Sequence, residues 1–322
     1  MKAFHIPKQG DLAEIMNIST PTPKKGEIRV KIHACGLNFA DLLMQKGTYQ
    51  DTPEAPFTLG MEISGTIDAI GPDTEAPDIG RRVAVFGGQG GLAEYGCFDV
   101  NRCVVIPESM SFKDAAAFQI AYGTSHVALD YKAGLKPGET LVVLGAAGGV
   151  GLTAVEIGKV IGAKVIAVAR GADKLKVAQE AGADHVIDAE SDDLRGQIKA
   201  LGDADVVYDP VGGEQFKDAF RACNPEARII VIGFASGEVP KIAANHLLVK
   251  NITVQGFYWG GYLAFKPNVV TDSLATLLDW YTAGKIKPHI SHSFDLESAG
   301  EALDTLRARK STGKVVVQIS HD

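Results

Sequence analysis

The clearest chemistry in this sequence lies in a glycine-rich run, Gly145-Ala146-Ala147-Gly148-Gly149-Val150-Gly151. The run follows a strand-like stretch at 140–144 and opens a helical stretch at 150–161. Small residues in such a turn let backbone N–H groups approach a pyrophosphate, which then lies at the positive end of a helix. The alternative is an ordinary tight strand-to-helix turn. We predict a dinucleotide site with these contact residues: Ala146, Ala147, Gly148, Gly149 and Val150.

The end of the next strand-like stretch, 164–169, predicts which dinucleotide binds. Sites for NAD usually carry an acidic residue about 20 residues beyond the glycines, where it holds the ribose 2′-hydroxyl. This sequence has Arg170 at that strand end and Lys174 one helical turn later. A guanidinium fork and an ammonium suit a 2′-phosphate, so we predict NADPH as the cofactor. The alternative for Lys174 is a solvated lysine on a helix face.

Composition limits the classes of protein to which the chain can belong. Its 322 residues suggest about two domains, and 46% hydrophobic with 22% charged residues is ordinary for a globular protein. A net charge of −7 argues against nucleic acid or an acidic membrane as the main partner. The four cysteines form no C-x-x-C pair, and the first eight residues hold no apolar signal core. We therefore expect a cytoplasmic protein with no membrane association.

The elements that must position the glycine-rich run fall into three segments. Residues 1 to about 115 hold short alternating strands, of which 28–32 is the clearest. From there to about residue 258, strands and helices alternate, which predicts a doubly wound parallel sheet. The last segment ends in a strand at 314–319, and a lone strand after helices most simply returns to the first domain's sheet. The expected class is α/β, a β-barrel-type domain plus a Rossmann domain.

Several motifs of the chain resemble a known family. Besides the glycine-rich run, they are Gly36-Leu37-Asn38-Phe39-Ala40-Asp41, Gly60-Met61-Glu62, Asp209-Pro210-Val211-Gly212-Gly213 and Gly313-Lys314-Val315-Val316. The chain is similar to the zeta-crystallin-like quinone oxidoreductases of the medium-chain dehydrogenase/reductase superfamily. The resemblance implies a GroES-like catalytic domain at 1–118 and 260–322, and an NADP-binding Rossmann domain at 119–259. It also implies a homodimer that pairs through the strand predicted at 252–257.

The resemblance also indicates what this chain lacks. Zinc dehydrogenases of the superfamily carry a cysteine where this chain has Asn38 and a histidine where it has Met61. A carboxamide oxygen and a thioether are poor ligands for Zn²⁺, which takes thiolate and imidazole. No set of acidic residues and histidines accompanies His289 and His292, so both are expected on the surface. We expect no bound metal.

Hydride transfer without a Lewis acid favours an acceptor whose negative charge spreads to a distant carbonyl oxygen, such as a quinone or an enone. The resemblance places Asn38 and Tyr49 beside the nicotinamide, as hydrogen-bond donors to that oxygen. A tyrosine hydroxyl can also deliver a proton. The alternatives are a packing role for Tyr49 and a turn-forming role for Asn38. An NADPH-dependent enoyl-CoA reductase and a non-catalytic NADPH-binding protein stay open as other functions.

Five further cofactor contacts are predicted with less specific signals. The resemblance implies Thr124, packing on the nicotinamide, and Lys314, reaching the bound cofactor. Gly233 and Phe234 follow one predicted strand of the parallel sheet, and Tyr258 follows the next. Cofactors bind at the carboxyl edge of such sheets, so we expect these three residues there.

Overall fold

The computed structural model describes residues 1–320 and divides the chain into two compact units. The first unit contains Met1–Ile120 and the chain from Pro288, and the second contains Ala121–Lys287. The expected boundary at 259/260 is therefore wrong for residues 260–287, which belong to the second unit. The reason is packing, because the helix at Pro267–Thr282 buries Val270, Leu274 and Leu277 within that unit.

Sixteen strands are formed within residues 1–320. They are β1 (Lys2–Ile6), β2 (Glu14–Asn17), β3 (Glu27–Leu37), β4 (Phe57–Thr58), β5 (Glu62–Ile70), β6 (Arg82–Phe86), β7 (Tyr95–Asp99), β8 (Cys103–Val105), β9 (Thr140–Leu144), β10 (Lys164–Ala169), β11 (His185–Asp188), β12 (Ala204–Asp209), β13 (Cys223–Val231), β14 (Thr253–Gly256), β15 (Ile290–Asp295) and β16 (Lys314–Gln318).

The same residues form eleven α-helices. They are α1 (Phe39–Gln45), α2 (Phe112–Ala116), α3 (Gln119–His126), α4 (Gly149–Ile161), α5 (Ala172–Glu180), α6 (Leu194–Ala200), α7 (Gly213–Arg221), α8 (Ala244–Lys250), α9 (Trp259–Phe265), α10 (Pro267–Thr282) and α11 (Ala299–Arg307). Single turns of 3-10 helix lie at Val100–Arg102 and Leu296–Ser298, and a π-helical segment at Val127–Lys132. No helix in this part of the chain is long and apolar enough to cross a membrane.

The first unit is built on β3, the longest strand. Ile28, Val30 and Ile32 are fully buried while the residues between them are partly exposed, as their alternation predicts. β3 pairs antiparallel with β5, β7 and β16, in a seven-stranded sheet; a separate sheet has the order β2-β1-β4. The register sets Val315 opposite Leu37. The return of the last strand to the first domain's sheet is therefore confirmed.

The second unit holds a six-stranded parallel sheet with the order β11-β10-β9-β12-β13-β14. The strand order reverses between β10 and β12, on either side of β9, so the switch point of the sheet lies at the end of β9. β9 is buried along its whole length. A continuous apolar strand is typical of a sheet that is covered on both faces. The predicted doubly wound sheet is confirmed; the short edge strand β11 was not predicted because only four residues form it.

Candidate functional site

The glycine-rich run forms a tight turn between β9 and α4. Gly145 has a φ of +59°, and a Cβ atom on Gly151 would lie 2.2 Å from the carbonyl oxygen of Gly145. The turn therefore requires glycine at both positions. Ala146 and Ala147 are buried, whereas Gly148, Gly149 and Val150 reach the surface. The turn is thus closed on its inner side and open where the helix begins.

The N-terminus of α4 fits the pyrophosphate of a dinucleotide. Gly148 is the N-cap residue, and it has no side chain to occupy the first N–H groups of the helix. α4 is 13 residues long, so its aligned peptide dipoles leave a partial positive charge at this end. Free N–H groups and a positive helix end together attract phosphate oxygens. The residues present therefore fit the predicted cofactor group.

Arg170 and Lys174 lie where the sequence predicts them, after β10 and on α5. The Arg170 Nε atom lies 3.1 Å from Oε1 of Glu190, and both side chains are more than half exposed. Gly171 N–H also donates to Asp188 Oδ1, at 3.4 Å. These two acidic residues come from the end of β11 and were not predicted. An exposed ion pair of this kind is weak, so the guanidinium stays able to exchange its partner.

Thr124 is buried on α3, beside a hydroxyl cluster that was not predicted. Ser125 Oγ lies 2.8 Å from Thr153 Oγ1 and 2.9 Å from the Tyr208 hydroxyl, and it donates to the Val150 carbonyl oxygen. These bonds hold α3 against the first turns of α4. The signal in the sequence is a threonine and a tyrosine inside otherwise apolar runs, since buried hydroxyl groups need partners.

The remaining residues predicted in the second unit lie at one edge of the parallel sheet. Gly233 and Phe234 follow β13, and Tyr258 follows β14. The loop after β12 is organised by Asp209, whose Oδ1 accepts from the N–H groups of Val211 and Gly212, both at 2.8 Å. Burial raises the pKa of Asp209, and these bonds oppose the rise. Parallel strands share their carboxyl edge, so these residues and the glycine-rich turn lie along the same edge.

Asn38 and Lys314 meet in the first unit, although 276 positions separate them. Lys314 Nζ donates to Asn38 Oδ1 at 2.7 Å and forms an ion pair with Glu62 Oε1. Asn38 Nδ2 donates to the same Glu62 Oε1 at 3.1 Å. Glu62 Oε2 accepts from the Ile120 N–H at 2.9 Å. The Lys314 and Glu62 side chains are only 5% and 1% exposed, so the pair is buried.

A second buried carboxyl group, Asp41, lies next to this pair. Its Oδ2 accepts from the Asn38 backbone N–H at 2.7 Å, while its Oδ1 is buried without a hydrogen-bond partner. Burial raises the pKa of Asp41 to about 7. The backbone N–H groups of Asn38 and Gly60 and the Lys314 charge oppose the rise, and Glu62 adds to it. Two acids and one lysine therefore share this interior.

Tyr49 is half-buried in the turn that follows α1. The turn is closed by Thr52, whose hydroxyl and backbone N–H both donate to the Tyr49 carbonyl oxygen, at 2.7 and 3.1 Å. The Thr48 N–H donates to the carbonyl oxygen of Leu43 in α1 at 2.9 Å. The backbone at Tyr49 is thus fixed on the same helix whose N-cap is Asn38.

The residues considered for metal binding are engaged otherwise. Met61 is buried, His289 Nε2 lies 2.9 Å from Thr312 Oγ1, and His292 Nδ1 lies 2.9 Å from Ser291 Oγ. Within residues 1–320, no three His, Cys, Asp or Glu side chains are arranged to hold a metal ion.

The fold and these sites define a class of protein, a dinucleotide-dependent dehydrogenase or reductase with a GroES-like domain. Two family models agree with this class. The model of the alcohol dehydrogenase GroES-like domain matches residues 24–108, and the model of the zinc-binding dehydrogenases matches residues 149–279. The quinone oxidoreductase-like protein 2 homolog of Nematostella vectensis is 42% identical over 305 residues, which are 93% of this chain and 83% of the relative.

Two solved structures share the whole fold. The quinone oxidoreductase of Thermus thermophilus, solved alone and with NADPH, superimposes with a TM-score of 0.88 at 31% identity and covers 99% of this chain and 100% of that one. The Escherichia coli quinone oxidoreductase complexed with NADPH gives a TM-score of 0.90 at 26% identity, with 99% of each chain covered. The protein belongs to the quinone oxidoreductase branch of the medium-chain dehydrogenase/reductase superfamily.

Proposed function

We propose that this protein is an NADPH-dependent reductase that passes a hydride to a quinone or an α,β-unsaturated carbonyl without a metal ion. NADPH, when bound, supplies the hydride. The turn before α4 and the N–H groups of its first turn hold the pyrophosphate. Arg170 and Lys174 hold the 2′-phosphate, for which Arg170 exchanges its partner Glu190. Solved relatives with NADPH support the choice of cofactor.

The observation that carries the proposal is the hydrogen-bonded group of Asn38, Lys314 and Glu62. The family resemblance places Asn38 where zinc dehydrogenases carry a cysteine ligand, and its amide offers N–H donors instead. One Asn38 Nδ2 hydrogen binds Glu62 at 3.1 Å. The other faces the Gly36 carbonyl oxygen at 3.4 Å, a distance that leaves a weak bond. Because that contact is long, Asn38 can donate this hydrogen instead to a substrate oxygen on which negative charge develops.

Tyr49 has the second role in the proposed reaction. Reduction of an enone places a hydride on the β-carbon and leaves an enolate, which requires one proton. We assign that proton transfer to the Tyr49 hydroxyl. A quinone acceptor is less dependent on it, because water can protonate a hydroquinone anion. The protein acts in the cytoplasm as a homodimer in this proposal, and its four cysteines are free thiols, which suits a reducing compartment.

The test is a steady-state panel of a quinone, an enone and an enoyl-CoA with NADPH, before and after exhaustive treatment with a chelator. We expect quinone or enone reduction that survives the chelator. A preference for the enoyl-CoA would make the protein an enoyl-CoA reductase, and inactivity with all three acceptors would favour a non-catalytic NADPH-binding protein. Loss of activity that added zinc restores would contradict metal independence.

Variants localise the chemistry. Asn38→Ala should lower kcat/KM by about 10²-fold or more with an enone, the usual loss on removing a donor to an oxyanion. Asn17→Ala is the matched control, because Asn17 is exposed on β2 in the same unit. NADPH affinity should be unchanged in both variants. Equal activity of the Asn38→Ala variant and the control would contradict the assignment of Asn38.

A further inference from the structure

The Lys314–Glu62 ion pair is an unusual component of a protein interior. Both charges are almost completely buried, and both belong to long or flexible side chains. Removing such charges from water is costly, and the attraction between them offsets the cost only with good geometry. A buried pair is therefore weak evidence of stabilisation. What it supplies here is a fixed arrangement of donors and acceptors around Asn38.

That arrangement permits only one orientation of the Asn38 amide. An ammonium group has donors only, so the amide atom that faces Lys314 Nζ at 2.7 Å must be the oxygen. An ionised carboxylate only accepts, so the amide atom that faces Glu62 Oε1 must be the nitrogen. A flipped amide would set NH₂ against the ammonium and oxygen against the carboxylate. The pair thus opposes the flip at both atoms.

The backbone in turn holds Glu62 in place. The Ile120 N–H donates to its second oxygen. Gly36 leaves room for the other carboxylate oxygen, Oε1. A Cβ atom at position 36 would lie 2.9 Å from Glu62 Oε1 and 1.9 Å from the Ala116 carbonyl oxygen. The carboxylate can therefore approach β3 only where the strand has no side chain. The orientation of Asn38 is fixed through Glu62 by the sheet itself.

We propose that Lys314 and Glu62 are positioning residues for Asn38, whose amide their ion pair holds with Nδ2 as the donor to the acceptor oxygen. This rests on the proposed function. The ammonium also polarises the amide through its oxygen, which strengthens the N–H donor. This assigns Lys314 a place in the interior of the first unit, in addition to the cofactor contact that the family resemblance implies.

The decisive variant is the double substitution Lys314→Met with Glu62→Gln, which removes both charges and leaves neither unpaired. With NADPH at saturating concentration, we expect kcat with an enone to be lower by about tenfold, because the amide is no longer held in one orientation. In an Asn38→Ala background the same two substitutions should cause no further loss. A similar further loss in that background would overturn the proposal, since a merely structural effect acts with or without Asn38.

The matched control is Arg29→Met with Asp68→Asn, which removes a half-buried ion pair between β3 and β5 of the same sheet. Activity should be unchanged in this variant. A loss of activity as large as that of the Lys314/Glu62 variant would show that any ion pair of the sheet matters, and it would overturn the positioning role.

A readout independent of turnover separates this inference from the proposed function. In protein labelled with ¹⁵N at asparagine, the Nδ2 resonances of Asn38 are identified by their loss in Asn38→Ala. We expect them to be shifted and broadened in the Lys314→Met, Glu62→Gln variant and unchanged in the Arg29/Asp68 control. Unchanged Asn38 resonances in the first variant would overturn the positioning role. Inactivity of the wild type with every acceptor would refute the proposed function alone.

Discussion

Asp41 should make the stability of this protein depend on pH near neutrality. Its neighbourhood holds two carboxyl groups and one ammonium, and Glu62 already forms the ion pair with Lys314. An ionised Asp41 therefore has no ion-pair partner of its own in a fully buried position, and its backbone hydrogen bonds offset only part of the cost of burial. Burial raises its pKa from 3.8 to about 7. The carboxyl group consequently keeps its proton in the folded protein at pH values where the unfolded chain has lost it.

The sign and size of the effect follow from that difference. Between about pH 4 and pH 7 the folded state holds more protons than the unfolded state, so the free energy of unfolding falls as pH rises. The raised pKa corresponds to about 4 kcal/mol of the free energy of unfolding, of which about 2 kcal/mol is lost between about pH 5 and pH 7. Acids with a lowered pKa, such as Asp184, act in the opposite sense at lower pH. A comparison of variants is therefore needed to isolate Asp41.

Asp41→Asn supplies that comparison, because a carboxamide can still accept the Asn38 N–H and carries no charge. Urea unfolding, followed by circular dichroism, should be measured for both proteins from about pH 5 to pH 8.5. We expect the variant to gain stability relative to the wild type by nearly 3 kcal/mol across this range. Asp11→Asn, at an exposed loop position, should give a flat difference. A flat difference for Asp41→Asn as well would refute the reasoning from burial.

Three further predictions concern the cofactor, the proton donor and assembly. Arg170→Ala should weaken NADPH binding by about tenfold or more, since one charge-assisted contact is worth about 1.5–3 kcal/mol, and it should leave NADH binding unchanged. Titration of both coenzymes into the wild type and the variant measures these affinities. Equal wild-type affinities for NADPH and NADH would argue against a 2′-phosphate site. Tyr49→Phe should lower kcat/KM by about tenfold with a quinone and by more with an enone, and equal losses in steady-state rates would remove the proton-donor role. β14 is an edge strand of the parallel sheet, and we expect it to pair with β14 of a second copy. Light scattering should then give twice the mass of one chain. A monomer at micromolar concentration would contradict the homodimer.

Much of the fold could be predicted because its signals are local. The alternation in β3, the apolar run of β9 and the glycines before α4 each lie within one short stretch of chain. The edge strand β11 has only four residues and no such signal. The membership of 260–287 in the second unit depends on what α10 packs against, including His126 Nδ1, which lies 2.8 Å from Ser273 Oγ. Contacts between residues that are distant in sequence produce no periodic pattern in the sequence, so the unit to which 260–287 belongs could not be predicted from it.

The candidate site divides in the same way. The sequence alone predicted the glycine-rich turn before α4, because a turn and a helix end arise from contiguous residues that need no distant partner, and the structure confirms both. The family resemblance predicted that Asn38 and Met61 stand where zinc dehydrogenases carry a cysteine and a histidine, and metal independence stays a prediction. Only the tertiary structure decided that Glu190 faces Arg170, and that Lys314 lies against Asn38 and Glu62. The antiparallel pairing of β16 with β3 brings Lys314 beside Asn38 across 276 positions. The environment of the Lys314 charge depends on groups that only the folded chain brings together, so the sequence could not predict it.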